Sequence, residues 1–184
     1  MIKLNINDEI SRLRAVVLGR ADSNGPVPKL EDAYDPKSAE HIKAGTYPKD
    51  EDMVREMEAV AEVFKKYDVK VYRPNSIKDY NQIFSRDIAF VIEDKFIKAN
   101  ILEDRSKEID ALHEVLAEID PAKIIEFPED AHIEGGDVMP WGEYIFVGAY
   151  YGADYPSYIT ARTNLKAVKH LQKLFPHKIV KSFN

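Results

Sequence analysis

The segment DIAFVIEDKFIKA at residues 87–99 places two apolar, partly β-branched runs on either side of a charged turn, a pattern that predicts a β-hairpin. The segment DVMPWGEYIFV at residues 137–147 has the same plan around Trp141-Gly142-Glu143. Asp87 begins the first segment, and Asp137 begins the second 50 residues later. A repeated hairpin at this spacing predicts a chain built from equivalent structural units.

Three segments have helical periodicity. The first follows a single strand-like run, the other two each follow a hairpin, and a short β-type run comes after each of the three. Apolar residues with a period of 3.6 predict helices around residues 53–64, from about 104 to 118, and from about 160 to 175. The runs at 15–18, 69–72, 122–125 and 177–180 are predicted strands. The residues expected to be buried on the helices are Met53, Met57, Val60, Ala61 and Phe64, then Ile109, Leu112, Val115 and Leu116, then Leu165, Val168, Leu171 and Leu174.

The predicted unit is therefore strand, strand, helix, strand (ββαβ), and it occurs about three times, in residues 1–76, 77–129 and 130–184. Units that cannot bury their own sheet faces pack against one another around a shared axis. We therefore predict an α/β fold, a single domain that forms part of an α/β propeller. In the first unit, a stretch rich in glycine and proline at residues 19–48 replaces the second strand. A loop of this length predicts either a lid over a site or a mobile segment.

The composition excludes several classes of protein. The chain has 184 residues, 45% hydrophobic and 32% charged, which is typical of a globular domain. The net charge of −6 argues against nucleic-acid binding, no apolar run could span a membrane, and the first residues do not resemble a signal peptide. The absence of cysteine excludes disulfides, a thiolate zinc site and cysteine catalysis by this chain alone. We predict a cytoplasmic protein.

Three acidic residues lie at or just before the starts of the two hairpins. If the strands begin just after Asp87 and Asp137, these side chains and Glu134 lie near the common axis. Gathered carboxylates repel one another, so their grouping indicates a cation between them. A planar guanidinium fits, because its fork pairs bidentately with carboxylates. The alternative is structural: Arg86 pairs with a neighbouring acid, while Glu134 and Asp137 cap turns.

Other polar positions near these acids leave several interpretations open. The pair Gly135-Gly136 predicts a positive φ angle or the close approach of a ligand. His132 beside Glu134 would suit zinc, but no regular ligand spacing occurs, so we predict no metal and no cofactor and expect His132 to support the turn. Arg162 is predicted in the first turn of the third helix, where the macrodipole disfavours a cation. This position indicates a partner, either a substrate carboxylate or an internal acid such as Glu143.

Together, Arg86-Asp87, Ile133-Glu134-Gly135-Gly136-Asp137 and Arg162-Thr163-Asn164 resemble the guanidino-group-modifying (pentein) superfamily, which includes glycine amidinotransferase, arginine deiminase and dimethylarginine dimethylaminohydrolase. The resemblance is closest to bacterial amidinotransferase-like proteins, and it extends over essentially the whole chain. It implies a five-bladed propeller of ββαβ units with the active site on the axis. It also implies a cysteine thiolate that attacks the guanidinium carbon and a histidine that moves protons.

The resemblance implies roles for individual residues as well. The carboxylate of Asp87 would hold the guanidinium nitrogens, and Glu134 would contact the guanidinium and help to order the histidine. Asp137 would complete the motif at the substrate site. Arg162 would hold the α-carboxylate of the substrate.

The chain departs from the family pattern, because it has no cysteine and no His-Leu-Asp after the third helix. We therefore expect the N-terminal, guanidinium-orienting portion of an amidinotransferase-like enzyme that acts on arginine or a related guanidino compound and is inactive alone. It would be a truncated gene product, a trimmed chain or one subunit of a split enzyme. The alternatives are a fragment of an arginine deiminase-like or dimethylargininase-like hydrolase, a non-catalytic arginine-binding module and a self-associating remnant. Three units of a ring leave two faces open, so the expected protein partner is a second copy or the missing C-terminal half.

Overall fold

The computed structural model describes residues 1–33, 36–101, 105–152 and 162–184. The strands in these residues are β1 Ala15–Val17, β2 Lys70–Tyr72, β3 Ala89–Ile92, β4 Lys95–Lys98, β5 Ile124–Glu126, β6 Val138–Trp141, β7 Tyr144–Gly148 and β8 Ile179–Phe183. The helices are α1 Pro36–Ala44, α2 Asp50–Lys66, α3 Ser85–Ile88, α4 Ser106–Asp110, α5 His113–Ala117 and α6 Leu165–Leu174. Short 3₁₀ turns cover Leu30–Asp32, Pro121–Lys123 and Gly135–Asp137. None of the helices in the described residues is long and apolar enough to cross a membrane.

The strands form three small sheets that follow one another along the chain. β1 and β2 pair in parallel. In the second sheet β3 pairs antiparallel with β4, which pairs in parallel with β5, and β6, β7 and β8 repeat this order in the third. The two antiparallel pairs are the predicted hairpins, and Glu93 and Gly142 in their turns have positive φ angles. The mixed α/β fold predicted from the sequence is therefore confirmed.

Neighbouring sheets share hydrophobic cores with the helices between them. Phe90, Ile92 and Ile97 of the second sheet belong to one buried cluster with Leu171 of α6 and Ile145 of the third sheet. A second cluster contains Leu112, Val115 and Phe96, with Val17 and Tyr72 of the first sheet packed against it. Each of these cores therefore joins two successive sheets rather than filling the space beside one.

The predicted helices are present, and each needs one correction. α2 matches the first, although Val60 is exposed and Ala61 alone of its expected face is fully buried. The second is divided into α4 and α5, because Leu112 N bonds to Ile109 O at 3.1 Å, an i to i−3 contact that tightens the chain between them. The third begins at Leu165, which is exposed rather than buried. Residues 104, 160 and 161, which these predictions included, lie outside the described residues.

The stretch at residues 19–48 lies against the chain that leads to α3. Arg20 N donates to Gln82 O at 2.9 Å, and Tyr80 N donates to Ser23 O at 2.7 Å. Further along, α1 and the 3₁₀ turn Leu30–Asp32 give the stretch regular structure. These contacts place it on the side of the molecule where the predicted acidic residues lie.

Candidate functional site

A cavity of about 630 Å³ lies between the 19–48 stretch and the segment that precedes the hairpin of β3 and β4. His41, Ile42 and Tyr47 line it on one side, and Phe84 and Asp87 line it on the other. The stretch thus forms a wall of the cavity, which favours the lid interpretation. Three of the residues described next, Arg105, Glu108 and Arg162, also line this cavity.

Asp87 reaches the cavity from α3, the short helix that leads into β3. Ser85 Oγ donates to Val17 O at 2.9 Å, which ties this helix to the first sheet. Arg86 Nη2 donates to Glu9 Oε1 and to Val138 O, both at 2.9 Å, so Arg86 does pair with a neighbouring acid. These contacts hold Asp87 at the junction of the three units.

Arg105 occupies the space between the acidic side chains and is only 11% exposed. Its Nη1 donates to Asp87 Oδ2 at 2.9 Å and lies 3.8 Å from Glu134 Oε1. Its Nε and Nη2 donate to the two carboxylate oxygens of Glu108 at 2.7 and 3.1 Å. Burial acts to lower the pKa of Arg105, but the pairing with Glu108 and Asp87 prevails and raises it, so this guanidinium is a permanent cation.

Glu134 is held by a second internal guanidinium. Arg162 Nη1 donates to Glu134 Oε1 at 2.6 Å and to Oε2 at 2.8 Å. Burial raises the pKa of Glu134 to about 7; the hydrogen bond from Arg162 opposes that rise, and the charge of Asp87 adds to it. This carboxyl therefore titrates near neutral pH, unlike an exposed glutamate.

Asp137 fastens the segment before α6 to the glycine turn. Its Oδ2 accepts from Arg162 N at 2.9 Å and from Thr163 Oγ1 at 2.8 Å, and Thr163 Oγ1 in turn accepts from Glu134 N at 3.2 Å. Burial raises the pKa of Asp137, with the hydrogen bond from Thr163 acting in the opposite direction. Asp137 thus positions the backbone of Arg162, whose side chain holds Glu134.

The two glycines of the turn are required by close packing. Neither has a positive φ angle, so that part of the sequence expectation is wrong. A Cβ on Gly135 would collide with Arg86 O, and a Cβ on Gly136 would lie 2.7 Å from Asp87 Oδ1. The close approach is therefore made by α3, and it brings the start of the second sheet and the turn before β6 together at the acidic residues.

The structure corrects the prediction for Arg162 in two respects. Arg162 precedes α6 instead of lying in its first turn, because Asn164 is the N-cap and its Oδ1 accepts from Ala167 N at 3.0 Å. Its acidic partner is Glu134, whereas Glu143 lies in the turn between β6 and β7. Glu134 makes no capping hydrogen bond to the 3₁₀ turn that follows it, which argues against the capping alternative at that residue.

The chemistry that this arrangement supports is the recognition of guanidinium groups. Asp87, Glu134 and Glu108 surround two planar cations with oxygen acceptors. The two oxygens of Glu108 accept from two nitrogens of Arg105, and the two oxygens of Glu134 accept from one nitrogen of Arg162. No group of three potential metal ligands occurs within the described residues. The carbonyl of His132 accepts from Asn164 N at 3.0 Å, so this residue ties the turn to the start of α6.

Sequence reasoning missed Arg105 and Glu108. Glu108 lies on the same helical stripe as Leu112 and Val115. An acidic residue on an apolar stripe indicates a buried charge with a partner, and this signal is present in the sequence. Glu108 is almost completely buried, and burial raises its pKa while the hydrogen bond from Arg105 opposes the rise. An Arg-x-x-Glu pair on a buried stripe would have pointed to this ion pair.

No family model and no curated protein sequence matches this chain. Solved structures do match, and three illustrate the range. An amidinotransferase of the saxitoxin biosynthetic pathway from Microseira wollei gives a TM-score of 0.71 at 19% identity, over 97% of this chain and 62% of that chain. An inosamine-phosphate amidinotransferase from Streptomyces griseus gives a TM-score of 0.70 at 15% identity, over 98% of this chain and 62% of that chain. The N-terminal domain of an arginine dihydrolase from cyanobacteria gives a TM-score of 0.67 at 15% identity, over 93% of this chain and 57% of that chain.

The chain spans about three-fifths of the length of these proteins, and nearly all of it takes part in each match. Identities of 14 to 19% carry the fold and not the activity. The likeness in fold that the resemblance implied is therefore confirmed: this chain shares its fold with these amidinotransferases and with the dihydrolase domain.

Proposed function

We propose that this chain is the guanidinium-orienting part of an amidinotransferase-like protein that acts on arginine or a related guanidino compound. One observation carries the proposal: Asp87, Arg105 and Arg162 line the cavity, and there Asp87 holds the guanidinium of Arg105 while Glu134 holds that of Arg162. A site that binds two internal guanidinium groups has the acceptor geometry for a third. The similarity in fold to amidinotransferases agrees with this ligand class.

The proposed binding mode is an exchange of ion pairs. The guanidinium of the ligand contacts Asp87 and Glu134, and Arg162 turns from Glu134 to the α-carboxylate of the ligand. Asp137 keeps the backbone of Arg162 in place through its bond to Arg162 N. Every charge keeps a partner in this exchange, which avoids the large cost of leaving a buried charge unpaired.

The chemical step needs groups that this chain does not contain. Attack on a guanidinium carbon requires an activated nucleophile and a proton acceptor, and the chain has no cysteine. We propose that residues outside 1–184, or another chain, supply the thiolate and the histidine. In this proposal, residues 1–76, 77–129 and 130–184 are three ββαβ units of a propeller whose axis passes through the site. The cytoplasmic location remains a prediction from the composition.

Calorimetric titration of the purified chain tests the proposal. L-arginine should bind, agmatine should bind more weakly because it lacks the carboxylate, and ornithine should not bind because it lacks the guanidinium. Asp87→Asn and Glu134→Gln should each weaken arginine binding at least roughly tenfold, which is the effect of losing one charge-assisted pair. Lys166→Ala is the matched control, because Lys166 lies on α6 and makes an exposed ion pair with Asp130. Equal binding of arginine and ornithine would overturn the proposal.

The dihydrolase match favours a second candidate function, that of an arginine-hydrolase portion. Both candidates predict that the chain alone produces neither citrulline nor a transferred amidino group. They differ when a cysteine-bearing partner segment is added: a hydrolase forms citrulline, whereas an amidinotransferase modifies an added amine. Binding without either product supports the non-catalytic arginine-binding alternative.

A further inference from the structure

One face of the third sheet is apolar and uncovered. Met139, Trp141, Ile179 and Phe183 are all exposed on it, with 49% of Met139 and 60% of Phe183 accessible. The rings of Tyr144 and Phe146 stack at 5.7 Å, and Phe183 lies 6.2 Å from Phe146. The strand register puts these residues on the same face, and we call it the sheet-3 face: Met139, Trp141, Tyr144, Phe146, Ile179, Lys181 and Phe183.

A second apolar surface lies at the opposite end of the chain, on α2. Val60, Val63 and Tyr67 follow one another at i, i+3 and i+7, so they form a single stripe, which we call the α2 stripe. Val63 is 54% exposed and Tyr67 is 65% exposed. The other side of the helix contacts β2, and Ala61 is buried there, so α2 already has one partner.

The chain itself shows how two such surfaces fit together. On the second sheet, Phe90, Ile92 and Ile97 are buried in the same cluster as Leu171 and Phe175, which lie in α6 and directly after it. The ring of Phe127, just past β5, lies 4.7 Å from the ring of His170 on α6. The helix of the third unit therefore covers the sheet of the second.

The uncovered surfaces correspond to these covered ones position by position. Ile92–Lys95 and Trp141–Tyr144 are the pairs next to the hairpin turns, so the covered Phe90, Ile92 and Ile97 match the exposed Met139 and Trp141 and the half-buried Phe146. Counted from the last residue of each helix, the positions of Val168, Leu171 and Phe175 match those of Val60, Val63 and Tyr67. The molecule thus exposes both halves of a contact that it also makes internally.

We propose that the sheet-3 face binds the α2 stripe of a second copy of this chain, in the way that the second sheet binds α6. The position-by-position correspondence favours this occupant, because the α2 stripe has apolar side chains at the positions that α6 uses on the second sheet. Lys181 is the one charged residue of the sheet-3 face, and over its whole length α2 carries six acidic against three basic side chains. The contact uses two different surfaces, so it is head-to-tail and extends into a ring or a filament.

Light scattering after size exclusion, over a tenfold range of micromolar concentrations, tests the proposal. The wild-type chain is expected to form species larger than the 21.0 kDa monomer, increasingly so at higher concentration. Val63→Asp, which blocks the α2 stripe, and Met139→Asp, which blocks the sheet-3 face, should each give a 21.0 kDa species. Val27→Asp introduces the same charge at an exposed apolar residue outside both surfaces and should leave the oligomer unchanged.

Mixing the two blocked variants separates this contact from other modes of association. Val63→Asp keeps its sheet-3 face and Met139→Asp keeps its α2 stripe, so an equimolar mixture should form a complex of twice 21.0 kDa that grows no further. Lys181→Glu is a milder variant that keeps the apolar surface, and it should weaken association at least tenfold. Circular dichroism melting confirms that each variant is folded.

Three results would overturn the proposal. A wild-type chain that remains at 21.0 kDa at every concentration would show that something other than a second copy, such as further ββαβ units, covers these surfaces. Blocked variants that still associate would place the contact elsewhere. A mixture that stays monomeric would exclude the head-to-tail arrangement.

Discussion

Arg162 and Glu134, 28 residues apart in the sequence, share two hydrogen bonds of 2.6 and 2.8 Å from a single guanidinium nitrogen. The resemblance implied that each of these two side chains contacts the substrate, whereas here the chain itself provides the partner of each. Arg105 does the same for Asp87. The acidic residues are therefore satisfied before any ligand arrives, and the affinity of the site for a ligand depends on how readily these internal pairs exchange.

Arg105→Ala should destabilise the protein and create a binding site for small guanidinium ions. Removing one partner of a buried ion pair costs roughly 3 to 5 kcal/mol, because Asp87 and Glu108 are left without their cation. Millimolar methylguanidinium should then raise the melting temperature of the variant more than that of the wild type. Methylammonium, which lacks the planar fork, should give a smaller rise.

Arg55→Ala is the control for this experiment, because Arg55 pairs with Asp52 on the exposed side of α2. An exposed pair of this kind contributes about 1 kcal/mol or less. Loss of stability in Arg105→Ala without rescue by methylguanidinium would mean that the pocket collapses. The prediction that Asp87 and Glu108 form a binding site for guanidinium ions would then be wrong.

Alanine substitutions at three glycines should lower the free energy of unfolding by amounts that follow a fixed order. Gly135→Ala should be the most destabilising because the new Cβ meets the backbone at Arg86 O, and Gly136→Ala should follow because its Cβ displaces the side chain of Asp87. Overpacking of this kind costs about 1 to 3 kcal/mol. Gly148→Ala, whose Cβ would lie 3.6 Å from Asp137 Oδ1, should have little effect. Urea unfolding measures the order, and an equal loss at all three positions would contradict it.

Glu134 should make the stability depend on pH between about 4.5 and 7. Its pKa is raised to about 7 in the folded protein from 4.5, so the folded state retains a proton that the unfolded chain releases. The stabilisation from this proton is fully present below pH 4.5 and is lost as the pH rises through 7. The groups that face the carboxyl are Arg162, Arg105 and Asp87.

Glu134→Gln removes this titration. The free energy of unfolding of the wild type should fall relative to that of the variant by on the order of 2 to 3 kcal/mol as the pH rises from 4.5 to 7.5. Denaturant titrations at several pH values measure the difference. A difference that stays constant with pH would show that the Glu134 carboxylate remains ionised throughout.

Arginine should protect the 19–48 stretch from proteolysis. His41, Ile42 and Tyr47 of this stretch line the cavity, so a ligand there contacts both walls and holds them together. Trypsin cleavage at the exposed Lys29 and Lys43 should become slower at saturating L-arginine. Cleavage at the exposed Lys3 serves as the internal control and should be unchanged; equal protection at both places would indicate general stabilisation instead of a ligand under a lid.

The elements of the fold were predictable where the signal is local. The two hairpins could be located because each has an alternating apolar pattern and a tight turn, at Glu93 and at Gly142. The sequence also contains a signal for the start of α6, because Asn is a preferred N-cap residue and Asn164 is the N-cap. The prediction did not use this signal and began the helix too early. The division of the second helix carries no glycine or proline signal; it occurs at Leu112, which is buried in a core shared by two sheets.

The candidate site was predictable only in part. Asp87, Glu134, Asp137 and Arg162 stand in recognisable motifs, and the structure brings them together. The pairing of Arg105 with Asp87 joins residues 18 positions apart on different elements, and nothing local in the sequence specifies it. Ion pairs of this kind depend on how the units pack, which periodicity and motif spacing do not encode.

The sharing of cores between neighbouring units has a consequence for how the protein opens. The second sheet is held on both sides, by the cluster that includes Val17 and Tyr72 and by the cluster that includes Leu171, whereas the first and third sheets are each held on one side. In a linear array of coupled units, the terminal ones fluctuate most and the central one is protected by both neighbours. Backbone amides of β3 and β4 should consequently exchange their hydrogens last, so the most durable part of this molecule is its middle.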